Sequence, residues 1–291
     1  MISAARYCTV MDRYRVIIIG GGPAGLSCAI WLTRLGVNSL LVEASGLLGG
    51  LQTRSPYENL WIPGVQGRTG QEVAASIAQH AVDAGAELRV GRPALAVARD
   101  SDGFRVATPD GEVHGEFVVI ATGSTPRTGG FTPSATVAIG PGEPMEALDV
   151  SGRAVAILGG GDNAFDQARF VRDRGGRVTV FSRGLPRAQK LLQDLVPDIA
   201  VVVGAYDARQ SDMTVNGQGF DGFGIQYGFE AVVPPGLDLT RRDGYVEVDR
   251  FGETSQANVF ACGEVTDFWH PCVTTSAAHG VQVAKQISKR L

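Results

Sequence analysis

The chain has 291 residues, with 30 acidic against 26 basic side chains and a formal net charge of −4. That length suits two domains of roughly 150 residues each, and the acidic balance, without any long basic run, argues against a nucleic-acid partner. No stretch approaches the roughly 18 uninterrupted apolar residues of a membrane-spanning helix.

Glycine is abundant at 39 residues, about twice its ordinary share of roughly 7%. Such an excess points to tight turns or to backbone that closely approaches a ligand. The four cysteines, Cys8, Cys28, Cys262 and Cys272, form no C-x-x-C and no metal-type spacing, so no metal is expected and a reducing cytoplasm is the default compartment. Val16–Ile19 is too short for the apolar core of a signal peptide. Met11 precedes the first strand, and residues 1–10 read as an extension or as the product of an early start codon.

In chain order, Val16-Ile17-Ile18-Ile19 is a continuous β-branched run, the pattern of a strand buried on both faces. Gly20-Gly21-Gly22-Pro23-Ala24-Gly25 follows, and then a helical stretch from Leu26. Gly20, Gly22 and Gly25 fill G-x-G-x-x-G, where the glycines serve a tight turn, close approach to a pyrophosphate, and helix-on-strand packing. The helix N-terminus offers amide donors and a positive dipole to the phosphates. Ser39–Val42 reads as the next strand and ends at Glu43, 23 residues after Gly20. That spacing suits a carboxylate that binds ribose hydroxyls.

Leu88 to Val113 reads as short strands with turns at Asp102-Gly103 and Asp110-Gly111, and a buried strand then runs to Ala121-Thr122-Gly123. Segment 124–153 is rich in Gly, Pro, Ser and Thr and is expected to be a linker. The glycine device then recurs. The strand Ala154–Leu158 leads into Gly159-Gly160-Gly161-Asp162-Asn163-Ala164, a G-x-G-x-x-A variant, and a helix is expected over Phe165–Asp173. The strand Val178–Phe181 is followed by Ser182, at the position equivalent to Glu43, and then by Arg183 and Arg187. An acid there accepts from a ribose 2′-hydroxyl, whereas a small polar residue beside arginines receives a 2′-phosphate. The first unit therefore suits FAD, and the second leans to NADPH over NADH. Segment 192–235 yields no secure strands. Asn258–Cys262 reads as a strand that ends at Gly263-Glu264, and Thr274 or Thr275 is expected to cap a last helix reaching Lys289.

Together these pieces resemble the low-molecular-weight thioredoxin reductase family of flavoproteins, over nearly the whole chain from Arg15. To the two glycine motifs are added Gly49-Gly50-Leu51-Gln52, Glu58-Asn59 with Pro63-Gly64, Ala121-Thr122-Gly123, and Phe260 to Asp267, which is like F-A-A-G-D-V-x-D. The resemblance implies an α/β fold of two Rossmann-like domains of the three-layer ββα type, with the NAD(P) domain inserted in the FAD domain, and a homodimer. The expected boundaries are 11–123 with 236–291 for the FAD domain and 124–235 for the inserted one. FAD would be held by Gly20, Gly22, Pro23, Ala24, Gly25, Glu43, Gly50, Gln52, Asn59, Ala121, Thr122, Gly123, Gly263, Glu264, Cys272 and Val273. NADPH would be held by Gly159, Gly161, Asp162, Asn163, Ala164, Ser182, Arg183 and Arg187. The family carries H-R-R and then R-A-x-K; here Ser182-Arg183-Gly184 and Arg187-Ala188-Gln189-Lys190 keep two of the three arginines.

One departure is chemical. Thioredoxin reductases carry C-x-x-C just before the second glycine motif, and between Gly123 and Gly159 this chain has no cysteine. Dithiol exchange needs an attacking and a resolving thiol, so the usual relay cannot operate. Members without the pair resemble ferredoxin– or flavodoxin–NADP reductases, which makes a ferredoxin or flavodoxin the expected partner. Where the family reads R-Q-A-x-T-S, this chain reads Pro271-Cys272-Val273-Thr274-Thr275-Ser276. That register places Cys272 beside the flavin at a helix N-terminus, where a thiolate is stabilised. Cys272 is thus a candidate catalytic thiol or a small residue packed under the ring. The leading expectation is an FAD enzyme moving electrons between NAD(P)H and a non-dithiol acceptor. One alternative is an FAD oxidase or thiol enzyme with a degenerate NADPH site, and another is a flavin redox sensor without turnover.

Overall fold

The computed structural model describes residues 12–291, so the reading of Met11 and the residues before it lies outside the described residues. The described residues divide into two compact units, one of residues 12–53, 59–124 and 231–291 and the other of residues 54–58 and 125–230.

The first unit is built on a parallel sheet in the order Glu87–Val90, Ser39–Glu43, Asp12–Ile19, Gly111–Ile120, Val259–Ala261. The strand Gly111–Ile120 is shared: its first half pairs antiparallel with Gly103–Thr108, which in turn pairs with Ala96–Asp100. The apolar run of Asp12–Ile19 is continuous because both faces of that sheet are covered. Val16 and Ile18 join a core shared with the helices Pro23–Arg34 and Val273–Ser288. Ile17 and Ile19 point the other way, into a core with Val97, Phe104 and Val106 of the antiparallel strands. Helices, parallel sheet and antiparallel strands make the three layers expected from the sequence. The helix Gly70–Asp83 starts with a capping box, in which Thr69 Oγ1 accepts the Glu72 N–H at 3.2 Å and Glu72 accepts the Thr69 N–H at 2.7 Å; such a cap contributes about 1 kcal/mol.

The second unit holds a five-stranded parallel sheet in the order Ala200–Val203, Arg177–Ser182, Ala154–Leu158, Gly222–Ile225, Val137–Ile139. Its helix Asp162–Asp173 buries Ala164, Phe165, Ala168 and Val171 against the sheet. Residues 54–58 pack here: the Tyr57 ring meets Phe170 edge-on at 5.9 Å, and its hydroxyl donates to Gln167 at 3.2 Å.

Three sequence expectations need correction. Segment 124–153 is more than a linker, because Val137–Ile139 lies in the sheet and pairs with Gly222–Ile225. The helix after the second glycine motif starts at Asp162 rather than Phe165. The last helix is capped by Cys272, not by Thr274 or Thr275, and spans Val273–Ser288. The Cys272 sulfur accepts from the Thr275 N–H at 3.4 Å, so the thiol takes the place of the usual hydroxyl.

Candidate functional site: two dinucleotide turns

In the first unit the glycine turn is cut to fit backbone and not side chains. Gly20 has φ +110, and a Cβ there would fall 2.4 Å from the Ala121 carbonyl oxygen. A Cβ on Gly25 would fall 1.9 Å from the Gly20 carbonyl oxygen. Gly22 caps the helix Pro23–Arg34 without a side-chain hydrogen bond, and Pro23 opens it. The first-turn amides and the positive end of the dipole are therefore left for an anion. Glu43 reaches this turn from the end of its strand, accepting from the Gly21 N–H at 2.5 Å and from the Ser45 N–H at 2.7 Å.

Other sequence-identified residues gather at the same end of the sheet. A Cβ on Gly50 would lie 3.0 Å from the Gly22 Cα. Gln52 accepts from the Asn59 side-chain amide at 3.3 Å. Ala121 is buried, the Thr122 hydroxyl donates to the Val232 carbonyl, and the Gly123 carbonyl accepts the Val232 N–H at 3.1 Å. A Cβ on Gly263 would lie 2.7 Å from that of Ala24, so the last strand's turn rests on the fingerprint. Glu264 is half-buried, and desolvation raises its carboxyl above the ordinary range. Cys272 and Val273 are half-buried at the N-terminus of the last helix.

Sequence reasoning missed two residues that hold this end together. Ser124 donates to Glu264 at 3.1 Å; its place next to Thr122-Gly123 was the available signal. His279 is 2% exposed, and its Nδ1 accepts the Gly263 N–H at 3.2 Å. Burial pushes this imidazole down to about 4, so it is neutral. Nothing local in the sequence marks that role. Cys28 and Cys262 are fully buried. Burial raises the Cys28 thiol well above its usual range and that of Cys262 to about 12, so both stay protonated.

The second unit repeats the geometry. Gly159 has φ +146, and a Cβ there would fall 2.2 Å from the Gln226 carbonyl oxygen. Gly161 is the uncapped N-cap of the helix Asp162–Asp173. Asp162 accepts from the Gln189 backbone and side-chain amides at 2.7 and 3.0 Å. The Arg187 N–H donates to the Gly160 carbonyl at 2.7 Å, which draws the arginine loop onto the glycine turn. Ser182 is buried against Gly160, Arg183 and Arg187 are exposed, Asn163 is half-buried and Ala164 is in the core. Serine, arginines and glycine turn thus share one corner of the unit.

Both turns fit a dinucleotide, since each is a cradle that a Cβ would fill beside free helix-terminal amides. A family model for pyridine nucleotide-disulphide oxidoreductases matches residues 14–196. A ferredoxin–NADP reductase of Limosilactobacillus fermentum is 28% identical, over 87% of this chain and 86% of its own length. A thioredoxin reductase of Bacillus subtilis is 26% identical over 94% and 93% respectively. Among solved structures, the Lactococcus lactis thioredoxin reductase superposes with a TM-score of 0.82 at 24% identity, covering 95% of this chain and 98% of its own. With its two glycine turns and a family match across more than half its length, the chain belongs to the pyridine nucleotide-disulphide oxidoreductase family.

Proposed function

We propose that this FAD-dependent oxidoreductase takes electrons from NADPH and delivers them to an acceptor that is not a dithiol protein. The observation that carries the reading is the second glycine turn, kept with Ser182, Arg183 and Arg187 around it in a chain with no C-x-x-C.

In this reading the first unit would hold FAD, with the amides of Gly22, Ala24 and Gly25 available to its pyrophosphate and Glu43 to its adenosine ribose. Glu264, held by Ser124, would help to hold the flavin side of the cofactor, and the N-terminus of the helix Val273–Ser288 would lend its dipole to it. When bound, the flavin supplies two-electron acceptance from a nicotinamide and one-electron release. The chain's own contribution is to bind, orient and exclude water. Arg183 and Arg187 supply the charge for a 2′-phosphate, and Ser182 leaves room for it. One relative, named as a ferredoxin–NADP reductase, supports a ferredoxin or flavodoxin as acceptor; a homodimer in a reducing cytoplasm is part of the same proposal. Among the described residues no helix is long and apolar enough to cross a membrane.

The test is anaerobic titration of the purified holoprotein with NADPH and, separately, NADH, following the visible flavin band. Rapid bleaching by NADPH, with NADH much weaker, is the expected result. No bleaching by either nucleotide would overturn the proposal and leave Cys272 and a different donor as the reading to pursue.

A further inference from the structure

Arg183 has no carboxylate partner among the described residues, yet its guanidinium is held in place. It lies 5.4 Å from the Tyr227 ring centroid and 5.9 Å from that of Tyr206, within the roughly 6 Å reach of a cation–π contact. The two rings are tied together, with the Tyr206 hydroxyl donating to that of Tyr227 at 3.2 Å. Burial raises the Tyr206 phenol above its usual range, so no phenolate competes for the cation.

The rings themselves cannot drift. Tyr227 lies against Gly129, where a Cβ would come within 2.3 Å of the ring, and it meets Phe131 at 6.2 Å. Tyr206 packs on Phe181 at 5.7 Å, and Phe181 belongs to the strand that ends at Ser182. The base under Arg183 is thus continuous with the core that sets Ser182 and the glycine turn. The guanidinium lies within cation–π distance of both rings and also hydrogen-bonds the Tyr206 side chain, which leaves its remaining N–H donors for a tetrahedral anion.

We propose that Tyr206 and Tyr227 form an aromatic pedestal that holds Arg183 for the 2′-phosphate of NADPH and so sets the preference for NADPH over NADH. The inference rests on the reading that the second unit binds NADPH. Both tyrosines are positioning residues acting through Arg183. An unrestrained arginine loses much rotamer freedom on binding, and a pre-oriented one loses less.

The experiment measures KM and kcat for NADPH and NADH in the holoenzyme, with flavin content as a folding control. Arg183→Ala is expected to raise the NADPH KM by about tenfold or more, as for loss of a charge-assisted hydrogen bond, and to leave the NADH KM near its starting value. Tyr227→Leu is expected to raise the NADPH KM by about two- to fivefold, the range of an exposed cation–π contact, with kcat unchanged. The double variant should be no worse than Arg183→Ala alone. Arg183→Lys, at an exposed position that poses no folding risk, keeps the charge but cannot stack a planar fork, and it should also raise the NADPH KM. If Arg183→Ala abolishes the preference while Tyr227→Leu and Arg183→Lys behave as wild type, the pedestal is wrong and the NADPH reading stands. If Arg183→Ala itself leaves the ratio of the two KM values unchanged, the NADPH reading of this corner fails first.

Discussion

His279 accepts the Gly263 N–H through Nδ1, at 3.2 Å, from inside the core. The bond exists only while that nitrogen carries no proton, because a protonated Nδ1 would face another donor. Burial holds the imidazole at about 4 in the folded chain, against an ordinary value near 6.5. A depressed histidine binds fewer protons folded than unfolded, so stability rises with pH across that window. It is fully present above about pH 6.5, is lost as pH falls towards 4, and changes little below. At 1.36 kcal/mol per unit the ceiling is about 3 kcal/mol. Urea midpoints between pH 7.5 and 4.5 should fall more steeply for the wild type than for His279→Gln. Parallel slopes would show that the ring is not neutral in the fold.

Asp166 has the opposite sign. Desolvation and the neighbouring Asp162 raise its carboxyl to about 6 from 3.8, with Arg169 pulling the other way. An acid raised in the fold destabilises once both states are ionised, so its cost appears as pH rises from about 4 through 6. Asp166→Asn should stabilise the fold at pH 8 by about 1–2 kcal/mol after allowing for partial exposure, seen as a higher melting temperature, and have no effect at pH 4. A loss of stability at pH 8 would mean that the carboxylate has a favourable partner.

Gly280 allows the last helix to press onto the first. A Cβ there would fall 2.0 Å from the Ala24 carbonyl oxygen and 3.1 Å from the Cys28 nitrogen. Both contacts are backbone, so neither can swing aside. Gly280→Ala should cost about 1–3 kcal/mol or more and release FAD, because Ala24 belongs to the fingerprint. Gly36→Ala offers a contrast, since the space around it is open and only its φ of +72 resists; it should keep its flavin. Flavin content after gel filtration separates the two.

Cys272 tests the thiol alternative. Serine is a preferred N-cap, so Cys272→Ser should preserve the helix start and leave NADPH-dependent flavin reduction within about twofold, well under the tenfold that 1.4 kcal/mol would bring. A loss of reduction or of acceptor turnover would make the thiol a participant.

The glycine positions could be read from the sequence because their cause is local. A turn with φ +110 or +146 at Gly20 and Gly159 admits little else, and a run such as Val16–Ile19 can only be buried on both faces. The strand Val137–Ile139 was hidden by the Gly, Pro and Ser around it, since three residues are too few to show a period. The Cys272 cap was missed because sulfur is a poor acceptor and threonines follow it. The partners Ser124–Glu264, His279–Gly263 and Tyr206–Tyr227 lie 140, 16 and 21 residues apart. Apart from the place of Ser124 beside Thr122-Gly123, no local pattern marks them, and only the packed fold brings them together. Tyr57 is of the same kind, a side chain from the first half of the chain that finds Gln167 110 residues later.

The first unit's sheet is completed by Val259–Ala261 pairing with Gly111–Ile120, and its helix layer by Val273–Ser288. During synthesis these pieces emerge last, after the whole second unit, whose own sheet closes between residues 137 and 225. The segments of the second unit's sheet are therefore all available before those that complete the first, and the N-terminal fingerprint has no final helix to pack on until the chain's last residues are made. On the ribosome, the part of this enzyme made earliest is the part finished last, and its window of exposure to chaperones is set by the length of the insertion.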